Sequence, residues 1–171
     1  MLAKQMAAEY LSLRDYILEH RLYKGIDRRR KSKIVNLVKT RTHLRNIIAK
    51  RDSLIVDTHI PEGIVPGNST RMVFVLRCDP QILERRLRRR KWTSEKVKEN
   101  VMAEILDCCL IAAQSKYGKR KVVQLDTSRT SVKHSVLVAR KIISRSKSFT
   151  SSMDWLEKLE NDRSFAKYLR W

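Results

Sequence analysis

Three short, mostly apolar runs stand out along the chain, and each is followed at once by a charged residue. The runs are 54–56, 72–76 and 122–125. They are continuous rather than alternating with polar residues, which is typical of strands buried on both faces of a parallel sheet. The pattern therefore predicts three buried parallel strands.

Helical patterns lie between these runs. Asp79 followed by Pro80 predicts the start of a helix, because Asp caps a helix well and proline suits its first position. Thr93 predicts the cap of a longer helix that ends just before Gly118. One apolar stripe would run along that helix: Val97, Val101, Ile105 and Cys109.

A further basic helix is expected after Ser131, with three apolar residues turned inward: Val132, Val136 and Ile143. The tail after Ser144 is rich in serine and then carries two short helical patterns, with Trp155 and Leu156 as expected anchors. Strands that alternate with helices predict an α/β fold with a doubly wound parallel sheet.

Ligands of such sheets bind beyond the carboxyl ends of the strands. Asp57, Arg77 and Asp126 each follow a predicted strand, and His59 comes two residues after Asp57. We therefore expect these four side chains to share one edge, which becomes the candidate site.

The chain carries a formal net charge of +20, and the charge is unevenly distributed. Residues 28–51 include ten basic residues and no acidic one, and residues 116–147 include a single acid, Asp126. Polyanions bind such surfaces with release of counterions, so RNA is the natural partner class. The candidate contacts are Arg28, Arg29, Arg30 and Lys31, together with residues 119–121. The alternative is a solvated basic face without a ligand, because few aromatic residues interleave with these charges.

Several classes of protein are disfavoured. No apolar run approaches the roughly 18 residues of a membrane span, and the N-terminus does not resemble a signal peptide, so a cytoplasmic protein without a membrane partner is expected. The three cysteines, Cys78, Cys108 and Cys109, form no C-x-x-C pair and are expected to be buried thiols.

Four segments together resemble a known family: YLSLRDY (10–16), LIVDTH (54–59), VFVLRCDPQIL (73–83) and RLRRRKWTSEKVKENVMAEI (86–105). They are similar to the small adenylate-kinase-like P-loop proteins of archaea and eukaryotes, the adenylate kinase isoenzyme six type. The resemblance extends from about Leu2 to Arg129. V-D-x-H followed by V-F-V-L-R-x-D is its most specific part.

The resemblance implies a doubly wound parallel sheet of the P-loop nucleoside-monophosphate-kinase type. It places an adenylate-kinase-like domain at 1–147, with a monophosphate-binding segment at about 12–35 and a short lid at about 89–99. Residues 148–171 would be a helical C-terminal extension.

The resemblance also implies roles for two catalytic residues. Asp57 ends a strand as a Walker-B-type acid does, where it would hold a water molecule bound to Mg²⁺ rather than the metal itself. His59 would serve the reaction centre. Without the family context, His59 would be interpreted as an ordinary loop histidine.

Four further residues are assigned to substrates on the same ground. Arg14 and Asp15 would lie nearest the acceptor monophosphate, whereas Arg90 and Arg129 would bind ATP. Arginine suits phosphate because its planar guanidinium meets two oxygens at once and stays charged. The neighbours of Arg90 are also basic, so its choice depends on the alignment.

The chain departs from the family at its start. The family begins with a strand and a G-T-P-G-x-G-K-[ST] loop, and Met1 here falls within the helix that follows them. None of the four glycines has P-loop spacing. A misplaced start codon or interrupted gene is the expected reason, and a functional form without the loop is the alternative. Two smaller departures are Lys91, where the lid usually has glycine, and the basic residues 28–31, where most relatives are acidic.

Two functions follow from the resemblance, and they can coexist. One is phosphoryl transfer from ATP to AMP, giving two ADP, with ATPase activity and with Mg²⁺ as the metal. The other is a role in small-subunit rRNA maturation, through a platform ribosomal protein of the S-eleven type and the rRNA precursor. A catalytically dead RNA- or ribosome-binding factor with a degenerate kinase fold is the alternative. A monomer in isolation is expected.

Overall fold

The computed structural model describes residues 1–28, 32–59, 64–145 and 153–160, together with Tyr168. These residues form two compact units, which comprise residues 1–71 and 72–171.

The first unit contains a parallel pair of strands, one near its start and one near its end, with two helices and a hairpin between them in the chain. Its elements in chain order are α1 (Leu2–Gln5), β1 (Glu9–Ser12), α2 (Leu13–Glu19), β2 (Tyr23–Asp27), β3 (Ser32–Val35), α3 (Leu37–Ile48) and β4 (Leu54–Asp57). Strand β1 pairs with β4 in parallel, so that Ser12 lies opposite Asp57. Strands β2 and β3 form the antiparallel hairpin.

Side-chain caps start two helices of this unit, α2 and α3. The Ser12 side chain accepts a hydrogen bond from the Asp15 backbone, and the Asn36 side chain accepts one from the Lys39 backbone. Both caps satisfy amide groups that the first helical turn leaves unpaired. The core of the unit is apolar and comes from both helices and the segments beside them: Leu13, Ile17, Leu22, Leu44 and Ile64.

The second unit is a strand, a group of helices and a second parallel strand, followed by two further helices. Its elements are β5 (Val73–Arg77), α4 (Pro80–Arg89), α5 (Ser94–Ile105), α6 (Cys108–Tyr117), a short 3₁₀ turn (Lys119–Lys121), β6 (Val122–Asp126), α7 (Val132–Arg145) and α8 (Trp155–Glu160). Strands β5 and β6 run in parallel, from Val73 opposite Val122 to Arg77 opposite Asp126. Helices α4 to α6 supply the crossover that a parallel pair requires.

The predicted caps of α4 and α5 are confirmed. The Asp79 carboxylate accepts hydrogen bonds from two backbone amides of α4, and the Thr93 hydroxyl accepts one from the first turn of α5. The prediction of a single helix up to Gly118 was wrong, because the chain breaks at Asp107. This residue adopts a left-handed conformation, with φ at 54°, which Asp tolerates better than most residues. Its carboxylate pairs with Arg77.

Two apolar clusters form the core of the second unit. One lies between α4, α5 and the C-terminal segment and contains Leu87, Val97, Val101, Ile105, Trp155 and Tyr168. The other joins the strands to α6 and contains Val75, Leu110, Ala113 and Val122. Trp155 is thus confirmed as an anchor of the tail.

Four smaller predictions about burial were wrong. Leu156 is 39% exposed, and Val132 is 68% exposed at the first position of α7. Cys78 is buried, but Cys108 and Cys109 are exposed, because the break at Asp107 ends the stripe that Cys109 was expected to continue.

The α/β class and the parallel pairing of the apolar strands are confirmed. Within the described ranges, β4 and β5 each have one hydrogen-bonded neighbour. No helix in the same part of the chain is both long and apolar enough to cross a membrane.

Candidate functional site

The first part of the candidate site lies where β1 and β4 end. Because these strands are parallel and Ser12 lies opposite Asp57, both side chains emerge at the same edge. The Asp57 side chain is exposed, and the Tyr10 hydroxyl donates a hydrogen bond to its Oδ2 at 3.0 Å. Within the described residues, Oδ1 of Asp57 accepts no hydrogen bond. One carboxylate oxygen is therefore oriented and the other is available.

Tyr10 is a partner of Asp57 that sequence reasoning missed. It precedes Ser12 by two residues, so both side chains lie on the same face of β1. A tyrosine side chain is long enough to reach a diagonal neighbour on the adjacent strand. The signal would have been the parallel register, which could be inferred only after Glu9–Ser12 had been recognised as a strand.

The electrostatics of this edge keep Tyr10 a hydrogen-bond donor. The hydrogen bond to Asp57 raises the pKa of Tyr10, and the negative charges of Asp57 and Asp15 act in the same direction. Tyr10 therefore stays protonated at neutral pH, and it can hold Asp57 over the whole physiological range.

The other predicted residues of this unit lie close to this edge. Arg14 and Asp15 occupy the first turn of α2, immediately after β1, and both are exposed. His59 is also exposed and follows β4 by two residues. In the described part of the chain, the side chains of Arg14 and His59 make no hydrogen bond or ion pair. Local connectivity thus brings Arg14, Asp15 and His59 to the strand ends that carry Asp57.

The expectation that Arg77 contributes to an open edge was wrong. Its side chain is only 1% exposed. It donates to Glu104 at 2.8 Å and to Gln124 at 2.7 Å, and it also pairs with Asp107. Glu104 in turn accepts hydrogen bonds from the Cys78 backbone and from the Trp155 indole. Arg77 is therefore the centre of a buried polar cluster that joins β5, α5 and the tail.

The loop after β6 is also organised by internal hydrogen bonds. Asp126 accepts from both the backbone and the hydroxyl of Ser128, which makes it a turn-forming residue. Arg86 donates to the backbone oxygens of Thr127 and Ser128, each at 2.8 Å. Arg129 follows directly and is exposed, without a side-chain partner among the described residues.

The predicted ATP-binding residue of the lid lies at the end of α4. Arg90 is the C-cap residue, and its side chain is exposed. Lys91, where the family usually has glycine, adopts a left-handed conformation with φ at 57°. Glycine adopts this conformation without the steric cost that a side chain incurs.

Only some of the predicted RNA-contacting residues belong to the part of the chain that the structure describes. Arg28 is exposed at the end of the first hairpin strand, whereas Arg29, Arg30 and Lys31 lie outside the described residues. Lys119 and Arg120 are exposed in the 3₁₀ turn before β6.

The donor set at the Asp57 edge fits an indirectly held Mg²⁺ better than a direct cage. No group of three or more histidine, cysteine or carboxylate side chains is close enough to enclose a metal in the described part of the chain. A single carboxylate with one available oxygen suits Mg²⁺, which retains several of its waters in proteins.

A family model described as an AAA domain matches residues 1–107, which is more than half of the chain. The chain belongs to this AAA domain family. Three relatives carry the name "Putative adenylate kinase". The Methanocaldococcus jannaschii protein is 28% identical over 158 residues, covering 92% of this chain and 84% of the relative. The Saccharolobus solfataricus protein is 32% identical over 155 residues, covering 91% of this chain and 78% of the relative. The Pyrobaculum aerophilum protein is 36% identical over 102 residues, covering 60% of this chain and 50% of the relative.

These matches confirm the resemblance to the archaeal adenylate-kinase-like proteins that the sequence motifs suggested. The AAA domain match includes the whole first unit and extends into α5 and the break at Asp107. It therefore contains Asp57, His59, Arg14, Asp15 and Arg90.

Proposed function

We propose that this chain is the part of a nucleoside monophosphate kinase that positions Mg²⁺ and the acceptor, in the reaction of ATP with AMP to give two ADP. The observation that carries the proposal is the exposed Asp57 carboxylate at the end of a parallel strand, with Oδ2 held by Tyr10 and Oδ1 available. The names of the similar archaeal proteins support the same reaction. ATPase activity would accompany it when water replaces AMP.

Each predicted residue then has a defined task. Asp57 would hold Mg²⁺ by accepting hydrogen bonds from its water shell. Tyr10 limits the rotation of that carboxylate. Arg14 is the second residue of α2, and its exposed guanidinium can bind the phosphate of AMP. Asp15 follows it in the same helical turn and is also exposed.

Three further residues complete the assignment. His59 is two residues beyond Asp57, and its imidazole can donate a hydrogen bond to a phosphoryl oxygen. Arg90 and Arg129 are exposed cations assigned to the phosphates of ATP. Mg²⁺, when bound, neutralises the charge that develops on the phosphoryl oxygens.

The experiment must supply the phosphate-binding loop that residues 1–171 do not contain. The assay compares the chain itself with a version extended at its N-terminus by a strand and a G-x-x-x-x-G-K-[ST] loop. Formation of ADP from ATP and AMP is measured with and without Mg²⁺. We expect Mg²⁺-dependent transfer by the extended protein.

Asp57→Asn in the extended protein should lower turnover by at least 10²-fold, because an amide holds the metal's water shell less well than a carboxylate. Asp52→Asn is the matched control, since Asp52 is an exposed acid before the opposite end of β4. Near-normal activity of Asp57→Asn, or equal losses in both variants, would overturn the role of Asp57.

A second function, in assembly of the small ribosomal subunit, is favoured by the net charge of +20 and by the exposed cations Arg28, Lys119 and Arg120. The partners would be the small-subunit rRNA precursor and a platform ribosomal protein of the S-eleven type, bound by a cytoplasmic monomer. Binding to a precursor rRNA fragment should weaken steeply as salt rises. Lys119→Ser with Arg120→Ser should reduce the salt slope, whereas Asp57→Asn should leave it unchanged. A salt-independent complex would count against this function.

A further inference from the structure

The end of α4 carries an unusual density of positive charge. Six of the seven residues at 85–91 are basic. Two of them are engaged within the fold, because Arg86 binds the loop after β6 and Arg88 pairs with Glu84 at 2.9 Å. The other four are exposed and make no side-chain hydrogen bond or ion pair with any residue that the structure describes: Arg85, Arg89, Arg90 and Lys91.

The helix separates these charges cleanly from the core. Leu87 is buried, and Leu83 packs against the same cluster. Arg85 and Arg89 are four residues apart and exposed, so they are stacked on one side of α4 about one turn, or ~6 Å, from each other. The nearby acid Glu84 is held by Arg88 and by the Tyr168 hydroxyl, so it does not neutralise this pair.

The helix dipole explains only part of this charge. Cations are favoured near a helix C-terminus, each by about 0.3–1 kcal/mol, and the effect is limited to the last turn. Arg85 lies outside the last turn of α4, and Lys91 lies beyond its C-cap in a left-handed conformation. The surplus of unpaired cations therefore has no structural partner in the described part of the chain.

An exposed aromatic ring follows these cations directly. Trp92 is 41% exposed, although its backbone is fixed by a hydrogen bond from its N–H to the Leu87 carbonyl at 3.3 Å. Tryptophan normally buries most of its large surface. An exposed ring whose backbone is fixed, and which directly follows unpaired cations in the chain, is a suitable platform for a nucleobase, with the phosphates on the cations.

We propose that the corner between α4 and α5, formed by Arg85, Arg89, Lys91 and Trp92, binds single-stranded nucleic acid. Bases stack on Trp92, and successive phosphates contact the arginines of α4. Paired strands fit less well, because their bases are stacked within the helix and offer no free face. A membrane surface also fits less well, because membrane binding needs an exposed apolar face. The apolar face of α4 is buried in the core, and Trp92 alone would supply too little apolar surface.

The test measures binding of the 171-residue chain to a fluorescently labelled 12-nucleotide oligouridylate by anisotropy, over a series of salt concentrations. Trp92→Leu should weaken binding about tenfold, equivalent to ~1.4 kcal/mol, without changing the salt slope. Trp92→Phe retains an aromatic face and should keep most of the affinity. A slope change without an affinity change in Trp92→Leu would overturn the stacking role.

Arg85→Gln with Arg89→Gln should lower the salt slope by about 1.4, or ~0.7 for each lost phosphate contact on a single strand. Lys133→Gln with Arg140→Gln is the control, because it removes the same charge from exposed positions of α7. Far-UV circular dichroism and urea midpoints establish that the variants are folded. Arg90 is left unchanged because it is assigned to ATP.

Three results would overturn the proposal. The first is equal salt slopes for the α4 pair and the α7 pair, which would mean that only net charge matters. The second is equal affinity for a duplex of the same length. The third is Trp92-dependent binding to vesicles containing phosphatidylserine that exceeds binding to the oligonucleotide, which would identify a membrane contact instead.

Discussion

The last residues of β4 and β5 occupy equivalent positions in their parallel pairs, yet their surroundings are opposite. Asp57 at the end of β4 is exposed and accepts one hydrogen bond, from Tyr10. Arg77 at the end of β5 is 1% exposed and is bound by Glu104, Asp107 and Gln124. The same topological position therefore carries an available group in one unit and a fully engaged group in the other.

The difference shows that a strand end locates a candidate group, whereas its partners decide what the group can do. A buried guanidinium needs acceptors for its N–H groups, and Arg77 donates to Glu104, Asp107 and Gln124. Those bonds leave little capacity for a ligand. Asp57 has no such demand, because solvent reaches it.

The largest effect on the free energy of unfolding should come from replacing Arg77, the buried residue at the end of β5. Arg77→Met removes the cation that pairs with Glu104 and Asp107, and breaking a buried ion pair by removing one partner typically costs about 3–5 kcal/mol. Asp57→Asn should change the free energy of unfolding by less than about 0.5 kcal/mol, as exposed substitutions do. Urea denaturation measures both. Similar losses in the two variants would remove the contrast between the strand ends.

The next effect concerns the indole that caps the Arg77 cluster. Trp155 is buried and donates to Glu104 at 2.8 Å. Trp155→Phe keeps a ring in the core but loses this bond to a charged acceptor, so the free energy of unfolding should fall by about 1.5–3 kcal/mol. Trp92→Phe, at an exposed tryptophan, is the control and should be nearly neutral. A neutral Trp155→Phe would mean that the cluster does not depend on the tail.

A smaller effect should appear in acid. Burial alone would raise the pKa of Asp79, but the hydrogen bonds from Lys158 and from the backbone amides of α4 outweigh it, so the pKa is lowered. The stabilisation is therefore present above the ordinary Asp pKa of about 3.9, and it is lost as the pH falls through the lower pKa of the folded protein.

Lys158→Met should raise the pKa of Asp79 and make stability less dependent on pH in that range. Because Lys158 is more than half exposed, the change in the free energy of unfolding at pH 7 should stay below about 1 kcal/mol. Carboxyl NMR titration and urea midpoints at pH 7 and pH 3 measure the two quantities. Lys133→Met serves as the control, and an equal response there would show a general charge effect.

The smallest expected effect is a change in the pKa of Tyr10, which lies beside the exposed Asp57. Asp57→Asn should bring the raised pKa of Tyr10 back towards 10.0, since the hydrogen bond to Asp57 is its main cause. Tyr23 provides an internal reference, because its pKa is lowered by the hydrogen bond and the charge of Lys33. Titration of ring-labelled tyrosines by NMR follows both, with Asp52→Asn as the control. A Tyr10 pKa that stays raised in Asp57→Asn would contradict the pairing.

Features with a local cause could be predicted from the sequence. The strands β4, β5 and β6 are continuous apolar runs, and the caps at Asp79 and Thr93 depend on residues within one helical turn. Strand β1 could not be recognised in the same way, because Glu9–Ser12 has no apolar run. The placement of Asp57 at a strand end was local, but its bond with Tyr10 joins residues 47 positions apart.

Burial of Arg77 could not be predicted for a related reason. A charged residue after an apolar strand usually marks the end of the buried segment. Its partners Glu104 and Gln124 are 27 and 47 positions away, and each is an ordinary polar residue in its own helix or strand. Only the folded chain, in which Glu104 of α5 and Gln124 of β6 both reach Arg77 of β5, brings them together.

The seating of Tyr168 against α4 also has a consequence for the order in which the protein is made. Its hydroxyl binds Glu84, and the two residues are 84 positions apart. At a synthesis rate of about 5–20 residues per second, roughly 4–17 s separate their emergence from the ribosome. For most of that interval, the apolar surfaces of Leu87, Val97 and Val101 lack Trp155 and Tyr168, which belong to the same cluster in the folded protein. The nascent chain thus exposes an incomplete apolar surface, to which a chaperone can bind until Trp155 and Tyr168 have been synthesised.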